Sequence, residues 1–152
     1  ANSRTLLQKD RAIKLLVFTM GKLNLALHIE RVQKVIDRVP VYSSGLNHMG
    51  IIHLEDKEVT VVDLHKKLFK VKQNDDFNFK NYLILARNSS KEQFGIIVNE
   101  TPSLVEIPIS QVRVLPESYR RSDTLEIASH VTIIDRKDES LTVFLLDADR
   151  LI

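Results

Sequence analysis

Hydrophobic and polar residues alternate along the first part of the chain with a period of two. The alternation is clearest in residues 23–29, which read LNLALHI. This period is typical of a strand with one buried face. A second apolar run, residues 14–20, precedes it, and Gly21-Lys22 offers a turn between the two. The pattern predicts a β-hairpin.

The same rhythm of short apolar runs and polar turns continues to the last residues. Three pairs of strands are predicted, each with a turn between its two strands. They are 50–54 and 59–62 with the turn 55–57, 82–86 and 94–98 with the turn 88–91, and 124–134 and 141–146 with the turn 136–140. Shorter strands are predicted at 104–107 and 112–115, and residues 32–36 continue an apolar pattern that Pro40 ends. Many short strands with regular turns predict an all-β barrel or sandwich.

Two aspartates stand at predicted helix starts. Asp63 precedes LHKKLF and Asp147 precedes ADRLI, and a carboxylate before such a segment is a good N-cap. Residues 70–80 are polar, with Asn-Asp-Asp in the middle. They predict a connection and an internal boundary, whereas residues 1–13 lack a clean period and predict a tail or short helix.

Composition supports the β class and one domain. The 152 residues include 15 Val and 14 Ile against only 6 Ala, and β-branched residues favour a pleated surface whereas Ala favours a helix. A chain of this length fits one ordinary domain. The longest apolar run is about four residues, far short of a membrane span. We therefore expect a cytoplasmic protein without direct membrane insertion.

Sequence motifs for catalysis or cofactor binding are missing. The chain has no Cys, which excludes disulfides, thiol nucleophiles and Cys-ligated metals. Phosphate-binding glycine loops, nucleophile elbows and HExxH are also absent. His53, Asp63 and His65 could meet as metal ligands, but surface histidines in strand proteins are commoner than ligands, and Asp63 has a competing role as a cap. We expect a binding module without cofactor or metal, not an enzyme.

The charges are distributed unevenly, although the net charge is only +2. Residues 1–40 carry eight Lys/Arg and three Asp/Glu, whereas residues 99–152 carry six and ten. Faces of opposite sign suit protein–protein docking, unless folding intermixes them. A basic cluster at Lys66, Lys67, Lys70 and Lys72 lacks the interleaved aromatic residues that nucleic-acid binding favours. It is more typical of a solvated helix face, so we expect no nucleic-acid partner.

Four blocks in a characteristic order resemble CheW-like domains. The blocks are LVFTMG (16–21) with LALHI (25–29) and VQKVI (32–36), GIIHL (50–54) leading to VVDL (61–64), FGIIVN (94–99) followed by VEI (105–107), and VFLLDADRLI (143–152). The second block resembles the family hallmark G-v-x-N-L-R-G-x-x-x-P-v-v-D-L without a gap. The resemblance covers residues 14–152, as a single CheW-like domain.

The resemblance implies two packed SH3-like five-stranded β-barrels with short helices, with residues 70–80 at their junction. It also implies a non-catalytic adaptor that couples chemoreceptor cytoplasmic tips to the regulatory domain of a CheA-type histidine kinase. In the family, receptors contact a groove between the barrels, kinase contacts use barrel ends, and the N-L-R-G turn lies close to partner surfaces.

The hallmark departs from the family at its partner-facing turn. His53 stands for Asn, Glu55 for Arg, Asp56 for Gly and Thr60 for Pro. Reversal of charge at a contact can cost several kcal/mol with an unchanged partner. We therefore expect a divergent chemotaxis-like pathway, such as one that controls motility or phototaxis. The alternative is a CheW-fold protein–protein interaction domain with other partners, outside chemotaxis.

The resemblance implies a set of partner-binding residues. They are Val32, Lys34, Val35, Gly50, His53, Glu55 and Asp56. Each of these residues also has an alternative role. Val32 and Val35 are suited to a hydrophobic core, Gly50 to a place where the backbone is crowded, and the charged residues to a solvent-exposed surface without a partner.

Overall fold

The computed structural model describes residues 11–37, 42–43, 49–69, 81–120 and 126–152. Within them lie twelve β-strands. They are β1 (Ala12–Met20), β2 (Leu23–His28), β3 (Val32–Asp37), β4 (Tyr42–Ser43), β5 (Met49–Leu54), β6 (Lys57–Val62), β7 (Tyr82–Arg87), β8 (Gln93–Val98), β9 (Ser103–Pro108), β10 (Arg113–Val114), β11 (Ala128–Arg136) and β12 (Glu139–Leu146). Two short α-helices accompany them, α1 (Leu64–Phe69) and α2 (Glu117–Arg120), with 3-10 turns at Ile29–Arg31, Ile109–Gln111 and Ala148–Arg150.

The strands form two mixed sheets with the same internal order. The first sheet runs β9-β1-β2-β12-β11-β10 and the second runs β3-β7-β8-β6-β5-β4. In each, a parallel pair at the centre (β2 with β12, β8 with β6) joins antiparallel neighbours. Each sheet has five longer strands and one strand of two residues. The predicted all-β class with short helices is confirmed.

The chain changes sheets twice, and neither crossing is near residues 70–80. The first crossing passes through the 3-10 turn Ile29–Arg31 between β2 and β3, and the second lies between β8 and β9. Residues 70–80 lie outside the described residues, but the strands that flank them, β6 and β7, belong to the same sheet. The described strands therefore show no change of sheet on the two sides of the predicted junction, which stays a prediction.

The predicted elements near the chain ends differ from the structure in their limits. Residues 12 and 13 belong to β1 rather than to a tail, and residues 1–10 lie outside the described residues. β11 begins at Ala128, not at residue 124. Arg136 pairs with Glu139, so the last turn contains only residues 137 and 138. Strand pairing thus continues into polar residues that the hydrophobic pattern assigned to the turn.

Alternate residues of one strand fill different cores. On β1, Leu16 and Phe18 belong to a buried cluster that also contains residues of β7 and β8, which we call the shared core. Leu15 and Val17 point to the other face and fill a cluster of first-sheet residues. A third cluster, around Ile52 and other second-sheet residues, fills the second sheet's own core. The period of two therefore places the shared core between the sheets and one further core within each sheet.

Both predicted aspartate caps are confirmed. Asp63 Oδ1 accepts a hydrogen bond from the Lys66 N–H at 2.9 Å, and Asp147 Oδ1 accepts one from the Asp149 N–H at 3.0 Å. The caps satisfy backbone donors that a helix start leaves without partners. α1 and the turn Ala148–Arg150 thus begin directly after β6 and β12, which hold equivalent places in the two sheets.

Candidate functional site

The predicted partner-binding residues fall into two groups on the second sheet. Val32, Lys34 and Val35 lie on β3, the strand at one edge of that sheet. The remaining four lie on β5 or in the turn that follows it: Gly50, His53, Glu55 and Asp56. Three strands, β7, β8 and β6, separate β3 from β5. The structure therefore divides the predicted site into two surfaces, the β3 edge (Val32–Asp37) and the β5–β6 turn (Leu54–Lys57).

The β3 edge combines a buried anchor with exposed side chains. Val32 is half-buried and packs against the shared core, whereas Lys34 is exposed. Val35 is 41% exposed although it pairs with Ile84, a fully buried residue of the shared core. Directly opposed residues point to the same face of a sheet, so Val35 extends the apolar face of the shared core outward to an open edge. Val32 thus fits the core role, and Val35 has the exposure that a contact requires.

Polar side chains fix the conformation beside Val32. The Gln33 carboxamide lies 2.6 Å from Gln93 Nε2 and 2.9 Å from the Arg87 guanidinium. The register of β3 on β7 shifts between Val32 and Lys34, and such an irregularity bends a strand and changes the direction of its side chains. These contacts hold β3 on its inner side, and among the residues that the structure describes no strand pairs with its outer side.

An equivalent exposed residue lies on the first sheet. Leu104 on β9 pairs with Leu16 of the shared core and is 60% exposed. β9 is an edge strand of its sheet, in the place that β3 has in the second sheet, and in the described part of the chain no further strand pairs with the outer side of either. The family blocks did not include Leu104, and only the pairing partner of each edge residue indicates which face it shares. The two open edges therefore each present one large apolar side chain on the face of the shared core.

The β5–β6 turn is acidic and has an uncommon backbone conformation. Leu54 pairs with Lys57, so Glu55 and Asp56 form a two-residue turn. Their φ angles are 47° and 66°, the left-handed values that a type I′ turn requires and that Gly or Asn adopts at least cost. Both residues are exposed, as is His53 nearby on β5. The turn therefore projects two carboxylates from the end of the second sheet.

Gly50 has a different position from the residues of the turn. It lies on β5, where it is buried and pairs with Val61 on one side and Ser43 on the other. A buried glycine within a sheet is placed for close backbone packing. Because it is buried and paired on both sides, Gly50 lacks the exposure that direct partner contact requires.

The residues of the alternative metal site are not brought together. His53 and Asp63 lie at opposite ends of the β5–β6 hairpin, and the Asp63 carboxylate caps α1. The His65 ring packs on Phe69, with the ring centroids 4.8 Å apart. In the described part of the chain, no group of three or more His, Asp or Glu side chains is arranged to hold a metal ion. Likewise, no helix there has the length and apolarity to cross a membrane.

Lys67 of the predicted basic cluster contacts the turn Ala148–Arg150. Lys67 Nζ donates a hydrogen bond to the Arg150 carbonyl oxygen at 3.2 Å. Lys70 and Lys72 lie outside the described residues. Lys67 therefore connects α1 to the turn that follows β12.

A family model shows the family of this chain, and a solved structure shows a similar fold. A family model described as the CheW-like domain matches residues 14–152. The fold is similar to that in the crystal structure of the scaffolding protein TtCheW from Thermoanaerobacter tengcongensis, with a TM-score of 0.70 and 18% sequence identity over 88% of this chain and 83% of that chain. A comparison with curated protein sequences gives no significant match.

Proposed function

Because this chain belongs to the CheW-like domain family, we propose that it is a non-catalytic scaffold of a chemotaxis-type signalling pathway. It couples the cytoplasmic tip of a chemoreceptor to the regulatory domain of a CheA-type histidine kinase. Such a role places the protein in the cytoplasm, beside both partners. The observation that carries the proposal is Val35, an exposed apolar residue on an open edge strand that continues the face of the shared core.

Apolar side chains at an edge strand suit a protein partner. An exposed strand edge offers unpaired backbone groups, and proteins usually protect such edges unless they use them for binding. Val35 and Leu104 supply apolar contact area on the two open edges. We assign receptor binding to these edges, since CheW-like domains contact receptors at a groove between the barrels.

The β5–β6 turn is assigned to the kinase partner. CheW-like domains use barrel ends for kinase contacts, and Glu55 and Asp56 project from such an end. Because the hallmark Arg is replaced by Glu55, the proposed partner surface carries a complementary, basic side chain. The same replacement supports the second candidate, a CheW-fold interaction domain whose partners lie outside chemotaxis.

The receptor assignment is tested with Val35→Asp and a receptor cytoplasmic-tip fragment from the same cell. A charge at the β3 edge should weaken binding at least tenfold by calorimetry, because an apolar contact becomes a desolvated carboxylate. The matched control is Val114→Asp, since Val114 is 71% exposed on β10, at the far edge of the first sheet. Equal affinities for the two variants would contradict the assignment.

The kinase assignment is tested with Glu55→Arg and the regulatory domain of an ordinary CheA-type kinase. Restoring the hallmark charge should strengthen binding in a salt-dependent way. Asp138→Arg, at the equivalent β11–β12 turn, is the control. An unchanged affinity for Glu55→Arg would count against charge rewiring at this turn. If neither receptor nor kinase binds the unmodified protein, the interaction domain outside chemotaxis becomes the better reading.

A further inference from the structure

Each sheet holds the hairpin turn of the other. α1 follows β6 of the second sheet, and its Phe69 ring packs on the β1–β2 turn of the first: a Cβ added at Gly21 would lie 3.0 Å from Phe69 Cε2. The turn Ala148–Arg150 follows β12 of the first sheet, and Asp149 binds the β7–β8 turn of the second. The two contacts are equivalent by strand order, but one is apolar and the other polar.

The polar contact, between Asp149 and the β7–β8 turn, contains several short hydrogen-bond distances although both elements lie at the surface. Asp149 Oδ1 accepts hydrogen bonds from the Ser89 N–H at 2.8 Å and from the Ser89 hydroxyl at 2.7 Å. Oδ2 also lies 2.7 Å from that hydroxyl. The Ser89 backbone and side-chain donors, and to a smaller degree the charge of Arg31, hold the pKa of the Asp149 carboxyl below its usual value. Asp149 therefore stays ionised at neutral pH and keeps its acceptor role.

Neighbouring residues tie this contact to the shared core. Ala148 and Leu151 are buried in that core, with Leu151 fully inaccessible. Arg150 Nη1 donates to the Glu126 carbonyl oxygen at 2.7 Å, and the Arg150 carbonyl accepts the hydrogen bond from Lys67 of α1. Movement of the turn Ala148–Arg150 would thus withdraw apolar side chains from between the sheets.

We propose that residues 147–151 form a strap that closes the shared core, and that the Ser89–Asp149 contact is its releasable lock. Release of the lock lets the strap leave the β7–β8 turn while both sheets keep their strand pairing. The equivalent contact, of Phe69 on Gly21, is apolar. It therefore has no polar lock of this kind and keeps α1 on the β1–β2 turn. This inference does not depend on which partners the protein binds.

Hydrogen exchange of Ser89→Ala, Asp149→Ala and the double variant tests the lock. The reporters are the Arg150 and Leu151 amides, which donate within the strap to Asp147 and Ala148. Exchange at both should accelerate at least tenfold in Asp149→Ala, which removes every bond of the contact, with amides of β1 unchanged. Ser89→Ala should accelerate exchange by a smaller factor, because the Ser89 N–H still donates to Asp149. The double variant should exchange no faster than Asp149→Ala, because without Asp149 the Ser89 hydroxyl has lost its partner in this contact. Asp149→Leu, which also has no side-chain acceptor, replaces Asp149→Ala if the latter does not fold.

Ser90→Ala is the matched control. Ser90 follows Ser89 in the same turn, where its N–H donates to Asn88 Oδ1, and this backbone bond survives the substitution. Its strap exchange should equal that of the unmodified protein. The lock is overturned if Ser89→Ala behaves like Ser90→Ala, if the two single effects multiply in the double variant, or if amides of β1 accelerate together with the strap.

Discussion

The two sheets share a strand order but fill it with different side-chain volumes. At the centre of the first, Ala26 on β2 lies opposite Leu145 on β12; at the same place in the second, Gly95 on β8 lies opposite Val61 on β6. A Cβ at Gly95 would lie 2.5 Å from Leu83 Cδ1, a distance that forces a shift. Both sheets therefore have a small residue at this central place, and the position of the neighbouring side chain determines whether alanine fits or only glycine.

The equivalent hairpins of the two sheets differ in the backbone conformation of their turns. The β5–β6 and β11–β12 turns both have two residues between paired strand ends. Glu55 and Asp56 have positive φ angles, whereas Lys137 and Asp138 do not. One strand order therefore accepts two turn types, and only the second sheet's turn holds non-glycine residues in the left-handed region. Of these two turns, the one with positive φ angles is the turn that the family resemblance places near a partner.

The largest expected effect tests whether the sheets fold as one unit. Phe94 and Leu25 hold equivalent places next to β6 and β12, and both belong to the shared core with no accessible surface. Phe94→Ala should lower the free energy of unfolding by about 3–5 kcal/mol, and Leu25→Ala by about 2–5 kcal/mol. Urea titration followed by amide NMR should show residues of both sheets unfolding in one transition. Unfolding of only the mutated sheet would show that the two are independent.

A smaller effect is expected at the central small residues. Gly95→Ala should cost about 1–3 kcal/mol of stability because the buried Leu83 must move. Ala26→Gly should cost about 1 kcal/mol, since glycine in a strand loses more chain entropy on folding. Adding Leu83→Val to each variant separates the causes in urea titrations. The shorter side chain should reduce the cost of Gly95→Ala and leave that of Ala26→Gly unchanged; equal changes would contradict the packing explanation.

The smallest effect concerns the two turns, and its sign differs between them. Asp56→Gly should raise the free energy of unfolding by up to about 1 kcal/mol, because glycine adopts the positive φ of this position without strain. Asp138→Gly should lower it by a few tenths of a kcal/mol, roughly the entropic effect of extra freedom in the unfolded chain. Urea midpoints at constant slope measure both. A loss of stability in both variants would mean that Asp56 is not strained.

Much of the fold could be predicted from the hydrophobic period and the turn residues. The Leu23–His28 strand, its Gly21 turn and both aspartate caps follow from local chemistry, because alternation, positive φ and capping involve neighbouring residues. The paired strands of the sheets could not be assigned this way. β2 pairs with β12 across most of the chain length, and no local pattern records that partner.

The candidate site was predicted less completely than the fold. The resemblance selected β3 and the β5–β6 turn, but it did not indicate that three strands separate them. It also left open whether Val32 and Val35 are buried, since both have the same side chain and lie three residues apart. The irregular register of β3 on β7 turns both toward the face of the shared core, with Val32 opposite Ala86 and Val35 opposite Ile84. Leu104 and Ser89 were missed because their roles depend on residues distant in sequence.

The sequence by itself determined the strands, most turns, the two caps and the family to which the chain belongs. These depend on side-chain chemistry within a few residues, or on the order of such blocks. Only the tertiary structure decided where the chain changes sheets, which edges stay open and which hairpin turn each helical turn holds. These features arise when distant strands bury a common apolar face, so the Asp149–Ser89 contact exists only after β12 and β8 have taken their places.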